Sequence, residues 1–118
     1  MPHLTVEYTD NLLEFDARSV LMKLNLVLVA SGQFEAADIK SRAIPLDTFL
    51  VGTSPAGHAF VHIKLALLSG RLPQTKQLLS ESLLLELKNT CQVAIGTSLQ
   101  LCVEILDIDR ASYAKATA

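Results

Sequence analysis

The residue with the most distinctive chemistry is Pro2, which directly follows Met1. Because proline is small, we expect the initiator methionine to be removed, which would make the secondary amine of Pro2 the first group of the chain. A free amino terminus has a pKa of about 7.7–8.0, and apolar or cationic surroundings lower that pKa. A neutral amine could take a proton from an enol hydroxyl and return it to a carbon further along the conjugated system. Alternatively, Pro2 only begins a strand, where its missing N–H costs nothing.

Other residue types that often carry chemistry form no recognisable constellation. His58 and His62 lie four residues apart on one face of a predicted strand, too far apart to hold one metal ion without further ligands. We interpret His62 and His3 as polar groups packed beneath a pocket or between subunits. Cys91 and Cys102 lack metal-ligand spacing, and we expect both to fill the core. The sequence contains no nucleophile elbow and no glycine-rich phosphate loop, so it predicts no metal site.

The composition fits one domain spanning residues 1–118. Half of the residues are hydrophobic, so apolar surface in excess of the core must be covered, and copies of the same chain are the expected cover. The net charge of −2 is scattered, without a basic cluster, which argues against nucleic acid or an anionic membrane as partner. The longest apolar run, Leu24–Ala30, is too short to span a bilayer. The cysteines and the absence of room for a signal peptide predict a reducing, cytoplasmic location.

Periodic patterns predict the elements that would position Pro2. Asp16 is a possible N-cap of the first helix, and Gly32 lies where a left-handed residue would end it. Pro45 requires its extended segment to be an edge strand or to be broken. In chain order the predicted elements are a strand within residues 1–8, a helix from about Asn11 to Ser31, an extended segment Ile39–Val51, a loop Gly52–Gly57, a strand His58–Leu68, a helix from Pro73 to Ile95 closed by Gly96, and a strand Leu99–Ile105.

This order of elements indicates two degenerate strand-helix-strand repeats joined by a loop. Each repeat is long enough for a right-handed crossover between parallel strands. The predicted fold class is therefore α+β, with one four-stranded sheet that carries both helices on one face. No element remains to cover the other face, so counting elements predicts self-association.

Short motifs occur in order along almost the whole chain. Pro2-His3 opens the first strand, and Glu7 and Asp10-Asn11 follow it. The later motifs are Ile39-Lys40-Ser41-Arg42, Asp47-Thr48, Ala59-Phe60-Val61-His62, Gly70-Arg71 and Val103-Glu104-Ile105. Together and at these spacings they resemble the 5-carboxymethyl-2-hydroxymuconate isomerase family of the tautomerase superfamily.

The resemblance implies a tautomerase-like homotrimer and a cofactor-free isomerisation with Pro2 as catalytic base. It implies 5-carboxymethyl-2-hydroxymuconate as the substrate, in the degradation of homoprotocatechuate made from 4-hydroxyphenylacetate. Arg42 and Arg71 would bind the substrate's carboxylates through bidentate guanidinium forks. Arg71 also lies at the carboxyl end of a strand just before a helix, a frequent ligand position in sheets. Either arginine could instead be a solvated surface charge.

Three features depart from the family pattern. Lys40 stands where the family has an arginine, and it could hold a carboxylate as a point charge from the strand face that it shares with Arg42. The loop Val51–Gly57 lacks the family's polar and aromatic residues. Tyr113 and Lys115 replace only part of the family's carboxy-terminal motif.

These departures leave two other functions open. Lys40 and the altered loop favour a general keto-enol tautomerase that acts on another oxo acid. A non-catalytic trimer that binds small acids or proteins is the third hypothesis. Retention of Met1 would favour it, because the nitrogen of Pro2 would then be an amide without a basic lone pair.

Overall fold

Alternating strands and two amphipathic helices form a sheet layer and a helix layer, and the computed structural model describes all residues 1–118. A short 3-10 helix, Ala36–Asp38, precedes the second strand. In chain order the elements are β1 (His3–Thr9), α1 (Ala17–Ala30), β2 (Lys40–Leu46), β3 (His58–Leu68), α2 (Pro73–Thr90) and β4 (Ser98–Ile108).

The sheet has the strand order β2-β1-β3-β4. Within each repeat the two strands are parallel, and the repeats meet where β1 and β3 run antiparallel. The predicted α+β class and the two strand-helix-strand repeats are therefore confirmed. Pro45 lies in β2, an edge strand, where the absence of one N–H is tolerated.

The core lies between the sheet and the helices. Alternate residues of β1 and β3 are fully buried against one stripe of each helix, so both helices cover the same face. The core residues are Leu4, Val6, Val20, Leu24, Leu28, Val61, Ile63, Leu65, Leu67, Leu79, Leu83 and Leu87. The opposite face, which we call the open sheet face, carries His3, Thr5, Glu7, Lys40, Arg42, Ile44, Phe60, His62, Lys64, Gln100, Cys102, Glu104 and Leu106, all half-buried or exposed.

The predicted start of the first helix is wrong by six residues. The helix begins at Ala17, not Asn11, and Asp16 is its N-cap, whose carboxylate accepts a hydrogen bond from Ser19 N at 3.3 Å. Before the cap, Glu14 has a φ of 51°, in the left-handed region that a helix cannot include. Gly32, with a φ of 76°, follows the helix as predicted.

The predicted end of the second helix is also wrong. The helix ends at Thr90, not Ile95, and Ile95 is fully exposed. Leu13 N donates to Gln92 O at 2.9 Å, in an isolated bridge between the segments that precede α1 and follow α2. Both segments must be extended to make this bridge, which explains both errors. Neither helix combines the length and apolar character needed to cross a bilayer.

Candidate active site

Pro2 directly precedes the central strand β1, and its side chain is fully buried. Its carbonyl accepts a hydrogen bond from Lys40 N at 3.1 Å, which extends the ladder between β1 and β2. The first residues of the chain are therefore held in the sheet, and the terminal amine has a defined place.

A pocket of about 280 Å³ adjoins this terminus. Its walls come from the connection between α1 and β2 and from the junction between β3 and α2. We call it the amino-terminal pocket, and it is lined by Met1, Gly32, Gln33, Phe34, Glu35, Asp38 and Arg71. The other three cavities lie between the helices or beneath the loop before β3, and none contains a predicted site residue.

Arg71 is held in the wall of this pocket by several contacts. Its Nε donates to Gln33 Oε1 at 3.3 Å, and Nη2 donates to Gln33 O at 3.1 Å. Nη1 donates to Leu68 O at 3.4 Å, and the guanidinium carbon lies 4.7 Å from the centroid of the Phe34 ring. Because a guanidinium has more N–H groups than these bonds use, both terminal nitrogens retain a donor for a ligand.

Lys40 lies next to the pocket, but most of its donor capacity is used. Its Nζ donates to Ala37 O at 3.3 Å and to Asp38 O at 3.1 Å. These bonds leave the ammonium one further donor and its full charge. Lys40 therefore contributes mainly a positive field at the amino terminus.

Arg42 lies elsewhere. It is exposed on the open sheet face, where Nη2 is 3.2 Å from His3 Nδ1. An arginine can only donate, so Nδ1 must be the acceptor, and His3 is the neutral tautomer with its proton on Nε2. That Nε2 donates to the Tyr113 hydroxyl at 2.9 Å. Burial, followed by the charge of Arg42, lowers the pKa of His3, in agreement with a neutral ring. A single chain does not bring Arg42 into the pocket with Arg71.

The surroundings of the terminal amine favour its neutral form. Burial is the main cause that lowers the pKa of the amine, which Met1 carries in the structure. Asp38 raises that pKa, whereas Arg71, Lys115 and Lys40 lower it. A basic amine can thus be present here without being fully protonated near neutral pH.

The structure adds Asp38 and Lys115 to the pocket region, two residues to which the sequence patterns assigned no role. Lys115 Nζ lies 3.2 Å from Asp38 Oδ1 and 3.2 Å from Met1 Sδ. The hydrogen bond from Lys115 and its charge hold the pKa of Asp38 below its usual value. No periodicity in the last ten residues signals this return to the amino terminus, and the unusual carboxy-terminal motif was the only available clue.

His62 lies away from the pocket, on the open sheet face. Its Nε2 is 3.0 Å from Glu104 Oε1, and its Nδ1 is 3.8 Å from Glu7 Oε1. His58 has a buried Nδ1 without a hydrogen-bond partner. No three His, Cys, Asp or Glu side chains are grouped as metal ligands.

Two strand-helix-strand repeats in one sheet, with a buried Pro2 and with an amino terminus that lines a pocket containing an arginine, define the tautomerase class of protein. The chain belongs to the 5-carboxymethyl-2-hydroxymuconate isomerase family, whose sequence profile matches residues 2–118. It is 35% identical over 111 residues to 5-carboxymethyl-2-hydroxymuconate Delta-isomerase of Escherichia coli, covering 92% of this chain and 87% of that protein.

Solved structures show the same relationship. A 5-carboxymethyl-2-hydroxymuconate isomerase from Deinococcus radiodurans R1 matches with a TM-score of 0.86 and 32% identity, covering 99% of this chain and 90% of that one. A fused 4-OT wild-type symmetric trimer matches with a TM-score of 0.72 and 18% identity, covering 97% and 91%, and thus shares the fold. The predicted resemblance is confirmed, and the protein is an isomerase of the tautomerase superfamily.

Proposed function

We propose that this isomerase converts 5-carboxymethyl-2-hydroxymuconate without a cofactor, in the degradation of homoprotocatechuate derived from 4-hydroxyphenylacetate. The amino-terminal Pro2 acts as the general base after Met1 is removed. One observation carries the proposal: the side chain of Pro2 is fully buried next to the sheet, and the amino terminus before it lines a pocket that holds Arg71. The names of the relatives from Escherichia coli and Deinococcus radiodurans support the substrate.

The proposed reaction moves one proton and changes no oxidation state. The amine of Pro2 takes the proton of the 2-hydroxyl group, and the resulting ammonium returns a proton to a carbon further along the conjugated system. The free donors of Arg71 bind one carboxylate, and Lys40 adds positive charge beside it. The same charges disfavour protonated Pro2, so they serve the base as well as the substrate.

Arg42 remains a proposed carboxylate ligand, with one condition. It is exposed on the open sheet face, away from the pocket of its own chain. It can reach a substrate only where a second subunit brings a pocket against that face.

We further propose a homotrimer that works in the reducing cytoplasm. The open sheet face lacks a covering element, and a protein of the same fold is described as a symmetric trimer. Cys91 and Cys102 are both free thiols, in keeping with a reducing compartment.

The test compares processed protein with protein that retains Met1, made by inhibiting methionine aminopeptidase during expression. Intact mass establishes the state of the terminus, and ultraviolet absorbance follows the isomerisation. We expect activity from processed protein only, because an amide nitrogen is not basic. Pro2→Ala should keep part of the rate, since a primary amine remains. Equal rates with and without Met1 would remove Pro2 from the mechanism.

A general keto-enol tautomerase is the second candidate. The observation that favours it is that Lys40 spends two donors on backbone carbonyls, which leaves fewer free donors for a substrate with several carboxylates. Phenylenolpyruvate, which has a single carboxylate, separates the two candidates. A higher kcat/KM for phenylenolpyruvate than for the muconate would favour this second function.

A further inference from the structure

The last ten residues, which we call the carboxy-terminal segment (109–118), pack back onto the start of the sheet. Arg110 Nε donates to Ser69 O at 2.5 Å, and the backbone turns at Asp109, whose carboxylate accepts hydrogen bonds from Ala111 N and the Ser112 hydroxyl. The Tyr113 hydroxyl then accepts the hydrogen bond from His3 Nε2 at 2.9 Å. The segment is thus attached to β1 by a side chain adjacent to Pro2.

This attachment places the Lys115 ammonium at the amino-terminal pocket. The ammonium is 3.2 Å from Asp38 Oδ1, and Asp38 lines the pocket and remains there when Met1 is removed. The Lys115 side chain is 36% exposed, so its charge is accessible to a ligand. Arg71 lines the pocket and Lys115 contacts its wall at Asp38, so two cations from distant parts of the chain lie at or beside one pocket.

The carboxylates that line the pocket explain why the position of Lys115 matters for an anionic substrate. Asp38 and Glu35 line the same pocket as Arg71, and their carboxylates would repel an anionic substrate. Lys115 forms the ion pair with Asp38 and so offsets that repulsion. Because exposed ion pairs contribute little to stability, a substrate carboxylate can replace Asp38 as the partner of Lys115 at small cost.

We propose that Lys115 determines specificity for substrates with more than one carboxylate. It binds a second carboxylate while Arg71 binds the first, and Tyr113 positions it through the hydrogen bond to His3. This inference rests on the proposed function of the amino-terminal pocket, and it adds the residue that distinguishes polycarboxylates from monocarboxylates.

The first experiment compares two substrates in Lys115→Met. The substrates are 5-carboxymethyl-2-hydroxymuconate, with three carboxylates, and phenylenolpyruvate, with one. Because a hydrogen bond to a charged group is worth about tenfold or more, we expect KM for the muconate to rise about tenfold and KM for phenylenolpyruvate to change less than about twofold. Lys23→Met, which removes an exposed lysine from α1, is the matched control and should change neither. An equal effect on both substrates, or none, would overturn the proposal.

Two further variants test the exchange of partners and the role of Tyr113. Asp38→Asn removes the competing carboxylate, so KM for the muconate should fall. Tyr113→Phe removes the hydroxyl that accepts from His3 and keeps the ring, so KM for the muconate should rise without a change in kcat for phenylenolpyruvate. In the Lys115→Met background Tyr113→Phe should have no further effect on KM. An additional rise there would mean that Tyr113 acts independently of Lys115.

A binding measurement separates this inference from the proposed catalysis. Calorimetry with propane-1,2,3-tricarboxylate needs no turnover, and we expect wild type to bind it about tenfold more tightly than Lys115→Met does. If neither substrate is converted, the proposed function fails, while this comparison still decides the role of Lys115. Equal affinities in the two proteins would refute that role.

Discussion

At the scale of single residues, the terminal amine and Arg71 form the central pair. Burial lowers the pKa of the amine that Met1 carries in the structure, and the charge of Arg71 adds to this effect, whereas Asp38 opposes it. We expect the same surroundings to act on the amine of Pro2 once Met1 is removed. We expect the rising limb of kcat/KM against pH to lie below 8.0, the ordinary pKa of an amino terminus. Arg71→Gln removes a charge that disfavours the ammonium, so the limb should move to higher pH and kcat/KM should fall.

Arg71→Lys is the control for that experiment, because it keeps the charge and loses the bidentate fork. The rising limb of kcat/KM against pH should lie close to that of wild type in this variant, while KM for the muconate rises. If the limb of Arg71→Gln coincides with that of wild type, Arg71 has no electrostatic effect on the base.

His3 provides a second prediction at this scale, one that concerns stability. Its pKa is lowered in the folded protein from the ordinary 6.5, so the unfolded chain binds the proton more readily. The contribution of neutral His3 is complete above pH 6.5 and is lost as the pH falls below it. We expect the wild-type free energy of unfolding to decline from pH 7 towards pH 5 more steeply than that of His3→Gln, whose side chain does not titrate.

Chemical denaturation at fixed protomer concentration measures this difference, since association makes stability concentration-dependent. Arg42→Gln removes one of the causes that lower the pKa of His3, so its decline should be shallower than that of wild type. Parallel pH profiles for wild type and His3→Gln would show that His3 has the same pKa in the folded and the unfolded protein.

At the scale of elements, the strands follow from the sequence more closely than the helix ends. Strict alternation predicts β3 over His58–Leu68, as observed, because one face is buried along its whole length. The helix ends were wrong because a tertiary hydrogen bond, Leu13 N to Gln92 O, fixes both flanking segments as extended. No local pattern encodes a contact between residues so distant in sequence.

The contrast between local patterns and distant contacts also explains which residues of the pocket region could be predicted from the sequence. Arg71 could be predicted as a ligand-binding residue from the family resemblance and because a strand-helix junction is a local feature with a general relation to ligands, and the structure places it in the pocket. Lys115 reaches the amino terminus only through the contacts of Tyr113 and Arg110 with distant strands. Its place is a property of the folded chain, and the sequence offers no periodicity from which to infer it.

Thr9, at the end of β1, allows a test of what holds this strand to β3. It is fully buried, and its hydroxyl accepts from Phe60 N at 3.1 Å and donates to Phe60 O at 3.4 Å. Thr9→Val keeps the shape but leaves both backbone groups of Phe60 without this partner, so we expect a loss of about 1–3 kcal/mol in the free energy of unfolding.

Thr9→Ser is the matched control, because it keeps the hydroxyl and loses one methyl group, worth about 0.8 kcal/mol. Thermal or chemical unfolding of both variants gives the comparison. If Ser destabilises more than Val does, packing rather than hydrogen bonding holds the end of β1 to β3.

At the scale of the whole molecule, the open sheet face is suited to association. Ile44 and Leu106 are 43% and 41% exposed on it, so it offers apolar surface on both edge strands. Both of its carboxylates already have partners, since Glu7 Oε1 lies 3.8 Å from Lys64 Nζ and Glu104 Oε1 lies 3.0 Å from His62 Nε2. Covering such a face removes apolar area from water without leaving those charges unpaired.

The two thiols report on whether this face is covered in the proposed trimer. The prediction that both cysteines fill the core is wrong for Cys102, which is exposed on the open sheet face, whereas Cys91 packs against the core and burial raises the pKa of its thiol to about 11. The thiolate is the reactive form, so Cys91 should react slowly with a bulky aromatic disulfide at pH 7.5 in any native state. Cys102 should be protected only while subunits cover it.

We therefore expect no rapidly reacting thiol in the native wild-type protein and one in Leu106→Glu, which places a charge on the same face and should dissociate the trimer. Adding Cys102→Ser to Leu106→Glu should abolish the rapid reaction, which assigns it to Cys102. Sedimentation of each sample gives its oligomeric state at the labelling concentration. A trimer in which Cys102 reacts rapidly would mean that the subunits associate through another surface, and Arg42 would then have no neighbouring pocket to serve.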